Sequence, residues 1–209
     1  MASGGAPPAA AQGASANVGE IINSIEMRNP GLRSYQAHTV LDIRQVTFPY
    51  LHPVLEGTAY YSSPGFTVFD FPHTPSYLKG ITKLESTAYA VNRWQRCYDI
   101  TVDEQPDTYV LHMVPKIAGQ VSRVDVSVSR SDARLLRFDW SYINGNDHAT
   151  LRQTYASVNG YDLVTQQQSE LALHHIRAVG VSQFSDFQYN VPVPTPTPTP
   201  SDPLHQCDN

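Results

Sequence analysis

The hydrophobic pattern begins with a helical period close to the N-terminus. Four aliphatic residues recur at spacings of three and four, which places them on one face of a helix: Val18, Ile21, Ile22 and Ile25. Asn17 precedes them as a candidate N-cap. An Asn-Pro-Gly sequence at 29–31 interrupts the pattern. The sequence therefore predicts one amphipathic helix over residues 18–28.

From residue 34 the period changes to two, which is the spacing of strand residues that face one side of a sheet. The first alternating segment spans 34–48, and Pro49 and Pro53 mark the connection that follows it. Further alternating segments are found along the chain: 55–61, 66–71, 98–102, 109–114, 124–129, 135–142, 148–158, 161–173 and 176–189. A set of strands this large is near the number at which a twisted open sheet curls, splits or closes.

The connections between these segments indicate hairpins. Asn144-Gly145 and Asn159-Gly160 are turn signals, because both central positions of a type I′ turn need a positive φ. Consecutive hairpins place neighbouring strands antiparallel. One helix cannot cover both faces of such a sheet, so we expect a mainly β fold of the α+β class, with a strongly curved antiparallel sheet around an apolar hollow. Residues 74–94 are less regular, and we expect a short helix or covering lid there.

Both ends of the chain differ in composition from its middle. Residues 1–16 are rich in Ala, Gly and Pro, as in the segment that remains after removal of a signal peptide; an ordinary disordered cytoplasmic terminus is the alternative. Proline alternates with Val and Thr over 192–200, which favours an extended polyproline conformation. We expect a disordered N-terminus over 1–16, one domain over 17–191 and a disordered tail over 192–209.

Composition and charge exclude several classes of partner. Only 16% of the 209 residues are charged, against roughly 25% in typical soluble proteins, and 12 are tyrosines, which favours strands. The net charge is −5 and the basic residues form no cluster, so neither nucleic-acid binding nor polybasic lipid attachment is expected. No segment has the ~20 apolar residues of a transmembrane helix.

The two cysteines, Cys97 and Cys207, leave two alternatives open. They can form a disulfide in an oxidising compartment, or they can be two unrelated thiols. Neither belongs to a CxxC pair, so no cysteine-based zinc or redox site is predicted.

Two sequence phrases resemble a known family. The predicted helix is followed by LRSYQA at 32–37, and the second strand carries GTAYYSSPG at 57–65. A helix followed by these two phrases in this order resembles the pattern of the outer-membrane lipoprotein carrier (LolA-like) superfamily, with this chain as a divergent member. The resemblance implies an incomplete β-barrel closed by helices, an apolar cavity for acyl chains and a soluble carrier of the periplasm or cell surface. Ser63 stands where the family's carrier has an arginine that helps to govern ligand release, so that role is not implied here.

The aromatic and aliphatic residues of the predicted strands are the candidate ligand-binding residues. Nine of them are predicted to line an apolar cavity: Leu41, Ile43, Tyr60, Phe69, Phe71, Leu111, Met113, Phe138 and Trp140. An acyl chain gains about 0.8 kcal/mol per buried CH₂ without any hydrogen bond, so a lipid site needs no sharp motif. The alternative for the same residues is a filled core.

Catalytic and metal-binding motifs are weak. The SYLK sequence at 76–79 matches the S-x-x-K pattern of penicillin-recognising enzymes, but the S-D-N and K-T-G motifs that accompany it are missing. His174 and His175 are adjacent, so in a strand they point to opposite faces and cannot chelate one metal together. We expect no catalytic residue, no metal and no cofactor.

The sequence thus favours a non-enzymatic carrier or sensor of lipid or lipoprotein acyl chains, exported to a bacterial periplasm or cell envelope. We expect a monomer, with an envelope protein as a second possible partner. Two other classes remain: a structural or protein-interaction β domain with a filled core, and a small hydrolase. A hollow in the structure separates the first two, and a Ser, a His and a carboxylate meeting in a cleft would indicate the third.

Overall fold

The computed structural model describes residues 17–63, 66–75, 91–119, 121–173 and 176–194. The predicted disordered N-terminus over 1–16 lies outside these residues, as do the tail beyond 194, the S-x-x-K motif and most of the predicted lid over 74–94. Neither described helix has the length and hydropathy of a membrane-crossing segment.

Ten strands form one sheet in the described part of the chain. They are β1 (Ser34–Gln45), β2 (Val54–Ser62), β3 (Phe66–Asp70), β4 (Tyr98–Glu104), β5 (Thr108–Pro115), β6 (Val121–Ser129), β7 (Leu135–Asn144), β8 (Asp147–Val158), β9 (Tyr161–Leu173) and β10 (Ile176–Tyr189). Two described helices accompany them, α1 (Val18–Glu26) and α2 (Trp94–Cys97), and a 3-10 turn at Val91–Arg93 precedes α2. The predicted mainly β fold is confirmed.

The strand order is β3-β2-β1-β10-β9-β8-β7-β6-β5-β4, and every neighbouring pair is antiparallel. β4 to β10 form the meander of consecutive hairpins that the sequence predicts. The first and last strands, β1 and β10, pair within the sheet, with Gln45 opposite Ala178. Among the described residues β3 and β4 are the two outer strands, so the sheet is a curved, incomplete barrel, as predicted.

Bulges and core contacts account for the curvature. The register of the β8–β9 pair breaks between Thr154 and Tyr155, and such a bulge bends and twists a strand. The bend brings Phe71, which follows β3, into one buried cluster with Ala149 of β8, although four strands separate β3 from β8 in the sheet. The concave face of the sheet is therefore the interior of the domain.

One predicted hairpin turn is confirmed and the other is shifted. Asn159 and Gly160 both have positive φ, 51° and 87°, as a type I′ turn requires. In the β7–β8 hairpin, however, the two loop residues are Gly145 and Asn146, one position later than predicted. Of these two only Gly145 has a positive φ, 62°, which is the pattern of a turn with glycine at its first central position.

Helix α1 begins as predicted, because Asn17 Oδ1 accepts a hydrogen bond from Gly19 N at 2.9 Å. Its buried face consists of Ile21, Ile22 and Ile25. This face belongs to one packed cluster, called the helix cluster below, with residues of α2 and of the concave face of β4–β8: Trp94, Cys97, Tyr98, Leu111, Met113, Val124, Val126, Val128, Phe138, Trp140 and Leu151. Cys97 is half of a disulfide, and the other cysteine of the chain, Cys207, lies outside the described residues.

A partly buried ion pair connects the segment after α1 to the start of β9. Arg28 Nε donates to Asp162 Oδ2 at 3.1 Å, and the Asp162 side chain is only 2% exposed. The Asp162 carboxylate raises the pKa of the Arg28 guanidinium, chiefly through this hydrogen bond. Asn29 adds two bonds to the backbone of Asp162, its Nδ2 donating to the carbonyl oxygen at 3.0 Å and its Oδ1 accepting from N at 2.8 Å.

Replacing Asp162 with alanine is expected to lower the free energy of unfolding by about 2 kcal/mol, since hydrogen bonds to charged groups contribute roughly 1.5–3 kcal/mol. Arg28 is partly exposed, so its guanidinium can still reach water and the loss stays below that of a fully buried pair. Urea unfolding measures the change, with Glu26→Ala at the exposed end of α1 as the control. Equal stability of D162A and the wild type would contradict the role of this pair.

Candidate functional site

The concave face carries an apolar row of side chains near one end of the sheet. The row crosses four neighbouring strands through directly paired residues, Tyr142, Ala149, Leu171 and Ala178. Each is the third residue from the end of its strand, about 7 Å from that end at roughly 3.3 Å per residue. Because paired residues on neighbouring strands face the same side, the four side chains form one continuous strip.

Two further rows lie deeper in the sheet and become more polar. The second row consists of Leu151, Ser169, Gly180 and Ile43, and the third of Gln153, Gln167, Ser182 and Leu41. In the third row Gln153 Nε2 donates to Gln167 Oε1 at 3.0 Å, and both side chains are buried. Polarity therefore rises with distance from the strand ends.

Two phenylalanines from the far side of the curved sheet complete the enclosure. Phe69 and Phe71 are stacked with their ring centroids 6.1 Å apart. Together with all residues of the three rows except Gln153, they line one space, called the hollow below. None of the described side chains that line the hollow is charged. It is therefore an apolar site with a few uncharged polar groups at its inner end, which is the usual make-up of a small-molecule pocket.

The hollow is small as it stands. Its volume is about 40 Å³, enough for roughly three water-sized groups at 10–15 Å³ each. Pockets that enclose a drug-sized ligand have volumes of roughly 300–1,000 Å³. A whole acyl chain therefore enters only if the walls of the hollow move apart.

Apart from the Arg28–Asp162 pair, the buried interior beyond the hollow carries no charged side chain among the described residues. Tyr35 is stacked on Tyr61 with ring centroids 4.9 Å apart, in a third cluster near the opposite end of the sheet. Burial raises the pKa of Tyr35 and of Tyr155 above the ordinary value near 10, so both phenols stay neutral. Thr39 is fully buried, and its Oγ1 has no hydrogen-bond partner among the described residues.

The nine candidate residues from the sequence fall into three places. Four of them line the hollow: Leu41, Ile43, Phe69 and Phe71. Four others belong to the helix cluster, each at most 2% exposed: Leu111, Met113, Phe138 and Trp140. The ninth, Tyr60, is half-buried in β2 on the opposite face from its buried neighbour Ala59.

Ten of the described lining residues were missed, among them three aliphatic residues of the apolar row, because the sequence does not show which strands pair. Ala149, Leu171 and Ala178 have the inward phase of the alternating pattern, which is a signal that the sequence contains. The small alanines leave the space that becomes the hollow. The alternating pattern does not predict that β10 pairs with β1, and this pairing places these residues beside Ile43.

The outer face has a different character. A wide, open depression of about 700 Å³ crosses β5–β9, and the ion pairs of Asp139 with Arg137 and Arg152 lie in it. Asp125 also lines this depression, so its two arginines are matched by two aspartates and its lining is polar, unlike that of the hollow. In the part of the chain that the structure describes, no group of three or more His, Cys, Asp or Glu side chains could hold a metal ion.

The outer face also carries two His–Asp pairs. His112 Nδ1 lies 2.6 Å from Asp125 Oδ1, and His52 Nε2 lies 2.7 Å from Asp42 Oδ1. Within the described ranges the only further hydrogen-bond partner of these histidines is Arg123. No serine joins either pair within these ranges, so neither pair is part of a Ser-His-Asp arrangement there.

Fold and site together define a class of protein: an open, curved antiparallel sheet with an N-terminal helix packed on its concave face and an uncharged hollow near one end of the sheet. No protein-family model matches the sequence, and no curated protein matches it. Solved structures do match. A LolA superfamily protein from Nitrosomonas europaea is 12% identical, with a TM-score of 0.55 over 86% of this chain and 96% of its own.

Two further solved structures have the same architecture. A DUF1329 family protein from Desulfovibrio piger is 15% identical, with a TM-score of 0.56 over 84% of this chain and 92% of its own. A domain assigned to an outer-membrane lipoprotein-sorting protein from Vibrio parahaemolyticus is 12% identical, with a TM-score of 0.57 over 84% of this chain and 93% of its own. The chain therefore has the LolA-like fold, and the resemblance seen in the sequence is confirmed at that level.

Proposed function

We propose that this protein is a non-enzymatic carrier or sensor that binds the acyl chains of lipids or lipoproteins in the hollow. The observation that carries the proposal is the uncharged strip of Tyr142, Ala149, Leu171 and Ala178 facing Phe69 and Phe71. Each CH₂ buried there contributes about 0.8 kcal/mol before the cost of association. The inner row, with Gln167 and Ser182, offers hydrogen bonds to a ligand carbonyl.

The fold supports this function by analogy. Among the similar structures is one assigned to lipoprotein sorting. Fold likeness alone does not define function, and the uncharged hollow is the feature of this chain that supports acyl binding. We place the protein in the exported fraction of a bacterial cell, in the periplasm or envelope, as a monomer with an acyl-bearing partner.

A second candidate function is a structural or protein-interaction domain without a ligand. The observation that favours it is the volume of about 40 Å³, together with the solid packing of the helix cluster. The two functions differ in one measurable respect, because only a carrier opens the hollow for an acyl chain. Saturable binding of a fluorescent sixteen-carbon fatty acid by the delipidated protein, with displacement by phospholipid, decides between them.

The variant Ala178→Leu is expected to weaken binding of this probe tenfold or more. Ala178 is 2% exposed in the apolar row, and a leucine there fills the space that the chain enters. Overpacking of this size costs about 1–3 kcal/mol of stability, so the variant still folds. Probe titration at a temperature well below the melting transition measures the effect.

The matched control is Gln183→Leu, which places the same side chain on the exposed face of the same strand. It should bind the probe as the wild type does. Equal probe affinity in A178L and the wild type would show that acyl chains bind elsewhere. Absence of saturable binding to the delipidated wild type would leave the interaction domain as the function.

A further inference from the structure

The exposed hydrophobic side chains of the described residues gather at one end of the sheet. Nine large hydrophobic side chains are exposed in the described ranges, and eight of them lie at the end where β1, β5, β7 and β9 finish and β2, β8 and β10 begin. We call this end the apolar rim. The ninth, Met27, follows α1 beside Arg28, which contacts the start of β9 at the opposite end.

The most exposed part of the apolar rim is the connection between β1 and β2. Phe48 is 82% exposed and Tyr50 is 69% exposed, and their rings meet edge to face with centroids 6.2 Å apart. The connection is held by backbone hydrogen bonds: Gln45 N donates to Leu51 O at 2.8 Å, and Val46 N donates to Arg177 O at 2.8 Å. The two rings are thus displayed to solvent by a fixed loop.

Other strand ends extend the same surface. Val54 starts β2, Val114 and Ile143 are next to last in β5 and β7, and Ile176 starts β10, and all four are exposed. Single exposed hydrophobic residues are ordinary, but their confinement to one end is not, and such patches mark contact sites. The opposite end carries polar turns such as Asn159-Gly160.

The apolar rim is continuous with the hollow. The first apolar row, including Leu171 and Ala178, lies about 7 Å from the strand ends at roughly 3.3 Å per residue. Acyl chains reside in bilayers, so a protein that takes them up must bring its hollow to a bilayer surface. Phe and Tyr on protruding loops suit that surface, because a tyrosine ring is apolar with a polar tip that stays hydrated.

We propose that the apolar rim docks on a lipid bilayer, with Phe48 and Tyr50 entering its interfacial layer and the hollow held against the membrane. This inference rests on the proposed acyl-binding function, since the continuity with the hollow selects a lipid surface over a protein partner. Arg44 and Arg177 near the apolar rim are matched in number by Asp42 and Glu170, so these four residues give no net positive charge that would attract anionic lipid.

The test is flotation of the full-length protein with phosphatidylcholine vesicles. The wild type should float with the vesicles, and the double variant F48S/Y50S should bind them tenfold or more weakly, because burial of one aromatic side chain alone changes a binding constant by roughly that factor. Met27→Ser removes an exposed hydrophobic side chain from the opposite end and should float as the wild type does.

A second measurement separates this inference from the proposed function. Binding of the sixteen-carbon probe without vesicles should be the same in F48S/Y50S and the wild type, which also shows that the variant is folded. If the wild type binds the probe but does not float, bilayer docking is overturned and the proposed function remains intact. The same holds if the wild type binds the probe and forms dimers through the apolar rim instead of binding vesicles. A different result is that the wild type floats, F48S/Y50S does not, and the wild type does not bind the probe. That result would support bilayer docking and overturn the proposed acyl site.

Discussion

Alanine at Phe138 is expected to lower the free energy of unfolding by about 3–5 kcal/mol, the usual cost of removing a buried phenylalanine, and to leave acyl binding unchanged. Phe138 is 2% exposed in the helix cluster and has ring contacts with Trp94 at 5.5 Å, Trp140 at 5.7 Å and Tyr155 at 5.6 Å. No smaller side chain restores these contacts. The effect is therefore on stability and not on the hollow.

The matched variant is Phe71→Ala, the same substitution in the wall of the hollow. Phe71 already borders open space, so we expect a loss of about 2 kcal/mol, close to the transfer free energy of the side chain alone. Probe affinity should change in F71A and not in F138A. Urea unfolding and probe titration of both proteins measure the contrast. Loss of probe binding by folded F138A would instead place the ligand within the helix cluster.

Alanine at Gly57 is expected to lower the free energy of unfolding by about 3 kcal/mol, the upper part of the range for overpacking. A Cβ at this position would lie 2.2 Å from Asp70 O and 2.6 Å from Phe71 Cδ1. Asp70 O is a backbone atom, so it cannot rotate away as a side chain would. The strain is relieved only if β3, an outer strand of five residues, shifts away from β2.

Thermal unfolding should show this loss as a fall in Tm of about 6–12 °C, at roughly 2–4 °C per kcal/mol for a chain of this size. Hydrogen exchange should accelerate in β3 and much less in β8 and β9. Thr58→Ala, at the next position of β2, removes a half-buried side chain without a clash and serves as the control. Unchanged exchange in β3 of G57A would show that β3 does not lie against Gly57.

Local features of this fold were readable from the sequence because short-range chemistry determines them. The isoleucine face of α1 and its Asn17 cap lie where the helical period places them, and the Asn159-Gly160 turn has the two positive φ angles that its residues allow. The turn at Gly145 was misplaced by one residue. An Asn-Gly-Asn sequence suits either position, and strand register decides between them.

The site was harder to predict because it depends on contacts between distant segments. Leu41 and Phe138 lie in segments with the same alternating pattern. Nothing in the local sequence shows that Phe138 is packed in the helix cluster with α1, whereas Leu41 lines the hollow. That difference depends on where β1 joins the sheet, and a pairing between residues 45 and 178 leaves no trace in the periodicity of either strand. The sequence does not predict the apolar rim either, because the exposure of a side chain is a property of the folded chain.

The pairing of β1 with β10 has a consequence for how the chain assembles. These partners are separated by well over a hundred residues in sequence, so their contact closes a very long loop and raises the contact order, which slows folding. β10 is the strand that joins β1 to the meander. Until residues 176–189 have left the ribosome, β1–β3 therefore cannot pair with the rest of the sheet, and the meander lacks its seventh strand. A nascent chain interrupted before β10 would hold two unjoined sheets, β1–β3 and β4–β9, with the walls of the hollow exposed to solvent.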